Sequence, residues 1–257
     1  MVSFGGWYRK GSLSFTPLVV CSLVMSTQPQ NTIAGVIVVA AGASTRMNGI
    51  DKTFTPLGGV PLIARTVAAF EVSPQVGAIV IVVGEHNLGA VRRLAEGQAW
   101  RKVTSICVGG SRRQDSVANG LSELPPCDWV LVHDGARPFV DEILISRGLE
   151  AARATGAAIP GIPPKDTVKV VDASDVVQST LDRNSLRIIQ TPQVFRRDIL
   201  EKAHCEVTAD VTDDAAMVES LGASVRVFTG SYRNIKVTTP EDKAIAEALL
   251  KQGNVSA

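Results

Sequence analysis

From Val36 onward, apolar runs alternate with stretches of helical spacing. Val36–Val39, Ala78–Val83, Val103–Val108 and Trp129–His133 read as continuous apolar runs, the pattern of strands covered on both faces. Between them lie helical segments. One opens at Pro61, a favoured first helical position, and sets Leu62, Thr66 and Phe70 on one face. A second follows Asp115 with Val117, Leu121 and Leu124 in register, and a third runs from about Asp141 to Thr155 and stops at Gly156. Such alternation predicts an α/β fold: a mostly parallel Rossmann-like sheet with right-handed crossovers and helices on both faces. Ligands then sit beyond the carboxyl ends of the strands, in the loops after Val39, Val108 and His133.

The rhythm breaks between Pro163 and Ile189. Val168 and Val170 alternate with polar residues, Asp172–Asp175 reads as a turn, and Val176–Thr180 is placed to pair back. This predicts a projecting β-hairpin arm over residues 163–189. Two strands alone are marginal, so the arm is expected to pack on something else, a second subunit being the simplest choice. Regular pattern then resumes, with helices near Asp198–His204 and Asp213–Leu221, a strand at Val225–Thr229 and a last helix after Pro240.

Residues 1–32 stand apart as an N-terminal extension to the domain expected over 33–251. They hold no Asp or Glu, and their apolar run from Leu18 to Met25 is short of the ~20 residues that span a bilayer. Leu23-Val24-Met25 offers no small-residue cleavage site for a signal peptide. Translation starting at Met25 is the favoured expectation, an organellar targeting peptide the weaker one.

Composition narrows the function classes. A net charge of +1, from 26 basic and 25 acidic residues, gives no footprint for nucleic acid, so phosphate binding has to come from a local site. The four cysteines form no C-x-x-C pair and no disulfide framework, which suits the cytoplasm, and the three histidines lack zinc spacing.

The first strand runs into Ala40-Ala41-Gly42-Ala43-Ser44-Thr45-Arg46-Met47, followed by Lys52. Small residues there let backbone N–H groups approach phosphates or a base edge, and Arg46 and Lys52 are cations of the kind a charge-building phosphoryl transition state needs. The loop is neither G-x-G-x-x-G nor a P-loop. On its own it reads equally well as a tight strand–helix connection with solvated charges. The acidic residue after the fourth strand, Asp134, is placed to meet Mg²⁺ or a substrate hydroxyl, or merely to cap its loop.

Further segments follow in order: Gly109-Gly110-Ser111-Arg112-Arg113-Gln114-Asp115-Ser116-Val117, Val132-His133-Asp134-Gly135-Ala136-Arg137-Pro138, Asp166-Thr167-Val168-Lys169, Asp182-Arg183-Asn184, Thr191-Pro192-Gln193, Thr212-Asp213-Asp214 and Asn234-Ile235-Lys236-Val237-Thr238. With the opening loop, this set resembles the 2-C-methyl-D-erythritol 4-phosphate cytidylyltransferase family of non-mevalonate isoprenoid synthesis, from about Ile33 to Leu250. The resemblance implies CTP and a small alcohol phosphate as substrates, Mg²⁺ as cofactor and pyrophosphate as leaving group. It assigns Arg46 and Lys52 to the transition state and Arg183 and Lys236 to the substrate phosphate. Ala40, Ala41, Gly42, Gly110, Ser111 and Ser116 fall to the nucleotide. Asp134, Arg137, Thr167 and Thr212 fall to the acceptor, with Asp134 also a metal candidate. Thr212 is equally an N-cap. His133 is expected to be structural, and His86 and His204 bystanders. The chain departs from the commoner family pattern at Gly135 (Ala expected), Asp214 (Glu expected) and Leu186-Arg187, where an aromatic is frequent.

The nearest rival is a cytidylyltransferase of the same fold acting on a pentitol phosphate such as ribitol 5-phosphate. A non-catalytic nucleotide-binding module would be free to lose Arg46, Lys52, Arg183 and Lys236, yet all four are present. A dinucleotide-dependent oxidoreductase lacks its fingerprint glycines here.

Overall fold

The computed structural model describes Met1 and residues 33–42 and 52–253. The expected extension, apart from Met1, and the loop bearing Arg46 lie outside the described residues.

The described chain opens with β1 (Ala34–Ala40), a short ladder β2 (Pro56–Leu57) and β3 (Val60–Pro61), and α1 (Leu62–Val72). Then come β4 (Val76–Val83), α2 (Leu88–Gln98), β5 (Val103–Val108), α3 (Arg113–Glu123), β6 (Trp129–Asp134), α4 (Glu142–Thr155) and β7 (Ala157–Ile162). After β8 (Lys169–Val171) and β9 (Val177–Thr180) follow β10 (Ile188–Ile189), β11 (Gln193–Arg196), α5 (Arg197–Glu206), α6 (Asp214–Ser220), β12 (Arg226–Thr229) and α7 (Pro240–Gly253).

β5, β4, β1 and β6 form a parallel block with β1 flanked by β4 and β6. β11 lies antiparallel between β6 and β7, and β12 runs parallel on β7. The chain moves from β1 outward to β4 and β5, then returns to β6 on the opposite side. That reversal is a topological switch point, and it opens a crevice at the carboxyl ends of β1 and β6.

Strand alternation divides the core in two. Val36 and Val38 of β1 pack with Ile63, Val67 and Phe70 of α1 and Ile145 and Leu149 of α4. Ile37 points the other way, to Val117 and Leu121 of α3, Leu200 of α5 and Met217 of α6. Helices therefore cover both faces, as the continuous apolar runs require. A smaller cluster of Leu57, Leu62, Ala136, Val237 and Ala246 seats α7 beside the crevice. Among the described residues no helix is long and apolar enough to cross a membrane.

Helix ends follow local chemistry. The Asp141 carboxylate caps α4 by accepting the Leu144 N–H at 2.8 Å, and Gly156, at φ +79°, ends the helix in the left-handed region. The helix expected after Asp115 begins earlier, at Arg113. Asp115 sits in its first turn and reaches back to accept the Arg112 N–H at 3.1 Å.

The irregular stretch is also shorter than expected. Lys169–Val171 pairs antiparallel with Val177–Thr180 in a separate two-stranded sheet whose residues are all exposed. Ile188 and Ile189, placed in the arm by pattern alone, instead pair with Ile162 and Gly161 of the central sheet. The expectation at that end is corrected because an apolar pair with a sheet edge in reach gains more from joining it.

Candidate active site

The switch-point crevice is lined by Ala40, Ala41 and Gly42 at the end of β1 and just beyond it, by Gly110 and Ser111 before α3 and Arg113 and Ser116 in its first turn, and by Asp134 and Lys236. All six residues expected to meet the nucleotide thus line one cavity. Its walls stand close because of Gly109, where a Cβ would lie 2.3 Å from the Ala41 Cβ and 2.6 Å from the Ser116 Oγ. Ser116 shapes this wall: its hydroxyl accepts the Gly110 N–H at 3.1 Å and donates to the Arg112 carbonyl at 3.1 Å.

Asp134 ends β6, and cations surround its buried carboxylate. Lys236 Nζ is 3.0 Å from Oδ2, Arg137 Nε is 3.3 Å from the same oxygen, and Arg113 Nε is 3.8 Å from Oδ1. Burial works against ionisation, but Lys236, Arg113 and Arg137 outweigh it and hold the carboxyl well below the usual carboxylate range. Arg113 also pairs with Asp214, so the three cations outnumber these two carboxylates by one, and the positive charge left over suits the phosphates of an incoming substrate.

Arg113 was not among the residues picked out from sequence, although it lies within a segment quoted for the resemblance. It occupies the first turn of α3, where the helix dipole disfavours a cation. What holds it is Asp214, fully buried, whose Oδ2 accepts from Arg113 Nη1 at 2.5 Å. Burial raises the Asp214 carboxyl, and Arg113 and His204 together more than offset it, so the net shift is downward. His204 Nε2 stands 3.4 Å from Asp214 Oδ1, and neither atom has a hydrogen-bond partner among the described residues.

A shallower depression beside the crevice joins Arg113, Asp134, Arg137, Thr212 and Lys236. Thr212 therefore lies with the acceptor candidates. The cap of α6 is its neighbour Asp213, whose carboxylate accepts the Ala216 N–H at 3.0 Å. The other Asp213 oxygen accepts from Gln193 Nε2 at 2.6 Å, tying this loop to β11.

Beneath Asp134 sits His133, fully buried with its ring edge-on to Phe70 at 5.0 Å. Burial pushes its pKa down to about 4. Nε2 is 3.0 Å from the Arg137 carbonyl, and Nδ1 is 3.0 Å from the Thr191 hydroxyl. Strand alternation already turned this ring away from the crevice.

Two expected residues are not brought to this centre. Arg183 donates to the Lys165 carbonyl at 2.9 Å and lines a separate depression with Pro163, Asn184 and Arg187. Thr167 is exposed in the same irregular stretch and lines neither cavity around Asp134. Lys52 begins a short 3₁₀ turn. Its side chain, like Arg46, lies outside what the structure describes.

The family model for 2-C-methyl-D-erythritol 4-phosphate cytidylyltransferase matches residues 34–252. The chain is 49% identical over 223 residues to the protein of that name from Dehalococcoides mccartyi, covering 87% of this chain and 98% of the relative. It is similar in structure to 4-diphosphocytidyl-2C-methyl-D-erythritol synthase from Anaerococcus prevotii, with a TM-score of 0.76, 29% identity, and 86% and 99% of the two chains covered. For 2-C-methyl-D-erythritol 4-phosphate cytidylyltransferase from Thermus thermophilus the values are 0.69, 32%, and 84% and 98%. The chain belongs to the 2-C-methyl-D-erythritol 4-phosphate cytidylyltransferase family.

Proposed function

We propose that this chain transfers CMP from CTP to 2-C-methyl-D-erythritol 4-phosphate, giving 4-diphosphocytidyl-2-C-methyl-D-erythritol and pyrophosphate. The observation that carries the reading is the ionised Asp134 set among Lys236, Arg137 and Arg113 at the switch-point crevice. An acceptor phosphate oxygen attacks the α-phosphorus of CTP, a new P–O bond forms, and the bond to the β-phosphate oxygen breaks. The nucleophile is already largely anionic near neutral pH, since the second pKa of such a phosphate is about 6. No general base is needed. Alignment and charge neutralisation are the protein's task.

Ala40, Ala41, Gly42, Gly110, Ser111 and Ser116 hold the nucleotide in this reading, with Arg46 and Lys52 on its phosphates. Lys236 takes the acceptor phosphate, while Arg137, Thr212 and the Asp134 carboxylate orient the acceptor. Mg²⁺ ordinarily binds through one or two carboxylates plus substrate phosphates and keeps several waters. Asp134 Oδ1, with only the loose Arg113 contact at 3.8 Å, can supply one such ligand. Lys236, Arg137 and Arg113 already surround this carboxylate, so the triphosphate and water would provide most of the donor set. When bound, the ion supplies neutralisation of triphosphate charge. Cys107, Cys127 and Cys205 are free thiols, in keeping with a cytoplasmic location.

Pyrophosphate release with CTP, run in parallel with methylerythritol phosphate and ribitol 5-phosphate, tests the reading. Turnover with the pentitol phosphate alone would overturn it. Arg46→Ala and Lys52→Ala are each expected to lower kcat by ~10²-fold with the fold retained. A variant with near-normal kcat removes its residue from the mechanism.

A homodimer through the arm completes the proposal. Val170, Val171, Val176 and Val177 are 41–58% exposed, an apolar surface that a second copy would cover. Crossing to a partner would also bring Thr167 and Arg183 to the other subunit's acceptor site. Shortening the hairpin at Asp172–Asp175 is expected to weaken dimerisation and raise the acceptor KM together, read by light scattering over a dilution series beside the kinetic assay. A native protein that is monomeric at every concentration and fully active would exclude the shared site.

A further inference from the structure

Asp134, Arg137 and Lys236 come from a strand end, a turn and a distant loop, and charge attraction alone does not fix their mutual geometry. A closed set of buried and part-buried hydrogen bonds does. Thr191 Oγ1 accepts the backbone N–H of Asp134 at 3.0 Å and contacts His133 Nδ1 at 3.0 Å. His133 Nε2 contacts the carbonyl of Arg137 at 3.0 Å. Arg137 Nη1 donates to the Asn234 carbonyl at 2.8 Å, and Asn234 Nδ2 returns to the Thr191 carbonyl at 2.8 Å. The loop so clamped carries Lys236 two residues on.

We propose that Thr191 and His133 are positioning residues that set the acceptor-binding geometry of Asp134 and Arg137, with the Thr191 hydroxyl as the joint between them. The proton assignment is forced by the partners. A carbonyl only accepts, so His133 carries its proton on Nε2 and donates it to Arg137. In the neutral ring Nδ1 is then an acceptor, so Thr191 donates its hydroxyl proton there. One oxygen lone pair remains to accept the Asp134 N–H. Each of these groups is used once in its required sense. A hydroxyl at position 191 is therefore demanded by two separate atoms, and an apolar side chain of the same shape would leave both the Asp134 N–H and Nδ1 without partners. His133 is fully buried, and although Thr191 lines the depression beside Asp134, its hydroxyl proton and accepting lone pair are already taken by His133 and the Asp134 N–H. Both residues act through the carboxylate and guanidinium that touch substrate, as outer-shell partners of functional side chains commonly act.

This rests on the proposed function, and the test separates the two. Thr191→Val removes the hydroxyl and keeps the shape. It is expected to raise the KM for methylerythritol phosphate and lower kcat, for a combined loss of about 10–100-fold in kcat/KM, the scale on which outer-shell partners act. The KM for CTP should stay within about twofold, because the nucleotide wall contains none of these bonds. Thr191→Ser restores the hydroxyl and should recover most of the loss. In the wild-type protein, ¹⁵N NMR of the imidazole should show the Nε2–H tautomer.

An Nδ1–H tautomer overturns the inference, as does a Val variant with unchanged acceptor kinetics. So does a Ser variant as impaired as Val, or a loss that falls equally on CTP. If the Val variant does not fold, the wild-type tautomer together with the Ser kinetics decides. A wild-type enzyme inactive on methylerythritol phosphate sinks the functional reading and leaves the tautomer result standing.

Discussion

Asp134→Asn is expected to lower kcat by about 10³-fold without raising the KM for CTP, the upper end of what one lost charge-stabilising group costs. Its shape is kept and only the charge is lost. Lys236, Arg137 and Arg113 then surround a neutral amide and repel one another, so the two cations nearest the reacting groups leave their places. The excess positive charge still attracts triphosphate, which is why the nucleotide KM should hold or fall. Steady-state kinetics on a variant shown to be folded by circular dichroism check this. Near-normal kcat would mean that Asp134 only caps its loop.

Asp214→Asn acts on stability. Removing one partner of a buried ion pair leaves the other charged and uncompensated, a cost of about 3 kcal/mol or more. At the ~2–4 °C per kcal/mol expected for a chain of this size, Tm should fall by roughly 6–12 °C. Arg113 is the charge left behind, with 26% of its side chain exposed and the side chain of Asp214 fully buried. The same pair predicts an acid limb. The folded-state pKa of Asp214 lies below its ordinary value of 3.8, so the stabilisation is complete above that value and is lost as pH falls toward and through the folded pKa. Urea midpoints of wild type and variant should therefore converge on acidification. A constant gap between them would show that the ion pair is not its source. Asp214→Glu, which keeps the carboxylate opposite Arg113, should keep most of the stability.

Strands β1, β4 and β6 were legible because parallel strands buried on both faces must be largely apolar. β5, an edge strand with Thr104 and Ser105 and no fully buried residue, showed only through Val103, Ile106 and Val108. The strands that were missed break that rule. β7 reads Ala157-Ala158-Ile159-Pro160-Gly161-Ile162, with little β-propensity, and it holds its place through partners on both sides. Helix α2 buries only Val91 fully, too sparse a stripe to announce itself. The loops around the crevice were legible because small residues and cations cluster in sequence there. Arg113, Asp214, Thr191 and Asn234 were not assigned, since their meaning lies in partners tens of residues away. Thr167 and Arg183 carry the opposite lesson: resemblance placed them in the site, and within one chain they stand outside it.

The pairing of Ile188 directly opposite Ile162 means that the irregular stretch leaves the central sheet and re-enters it at the same point. Its two ends are one strand spacing apart, about 4.8 Å. A segment anchored this way behaves as a cassette. It can be lengthened, re-sequenced or exchanged at little cost in closure entropy, while the register of β7, β10 and β11 stays as it is. If the proposed dimer through this stretch holds, assembly and acceptor preference can drift along the cassette while the wall built from β1 and α3 remains fixed.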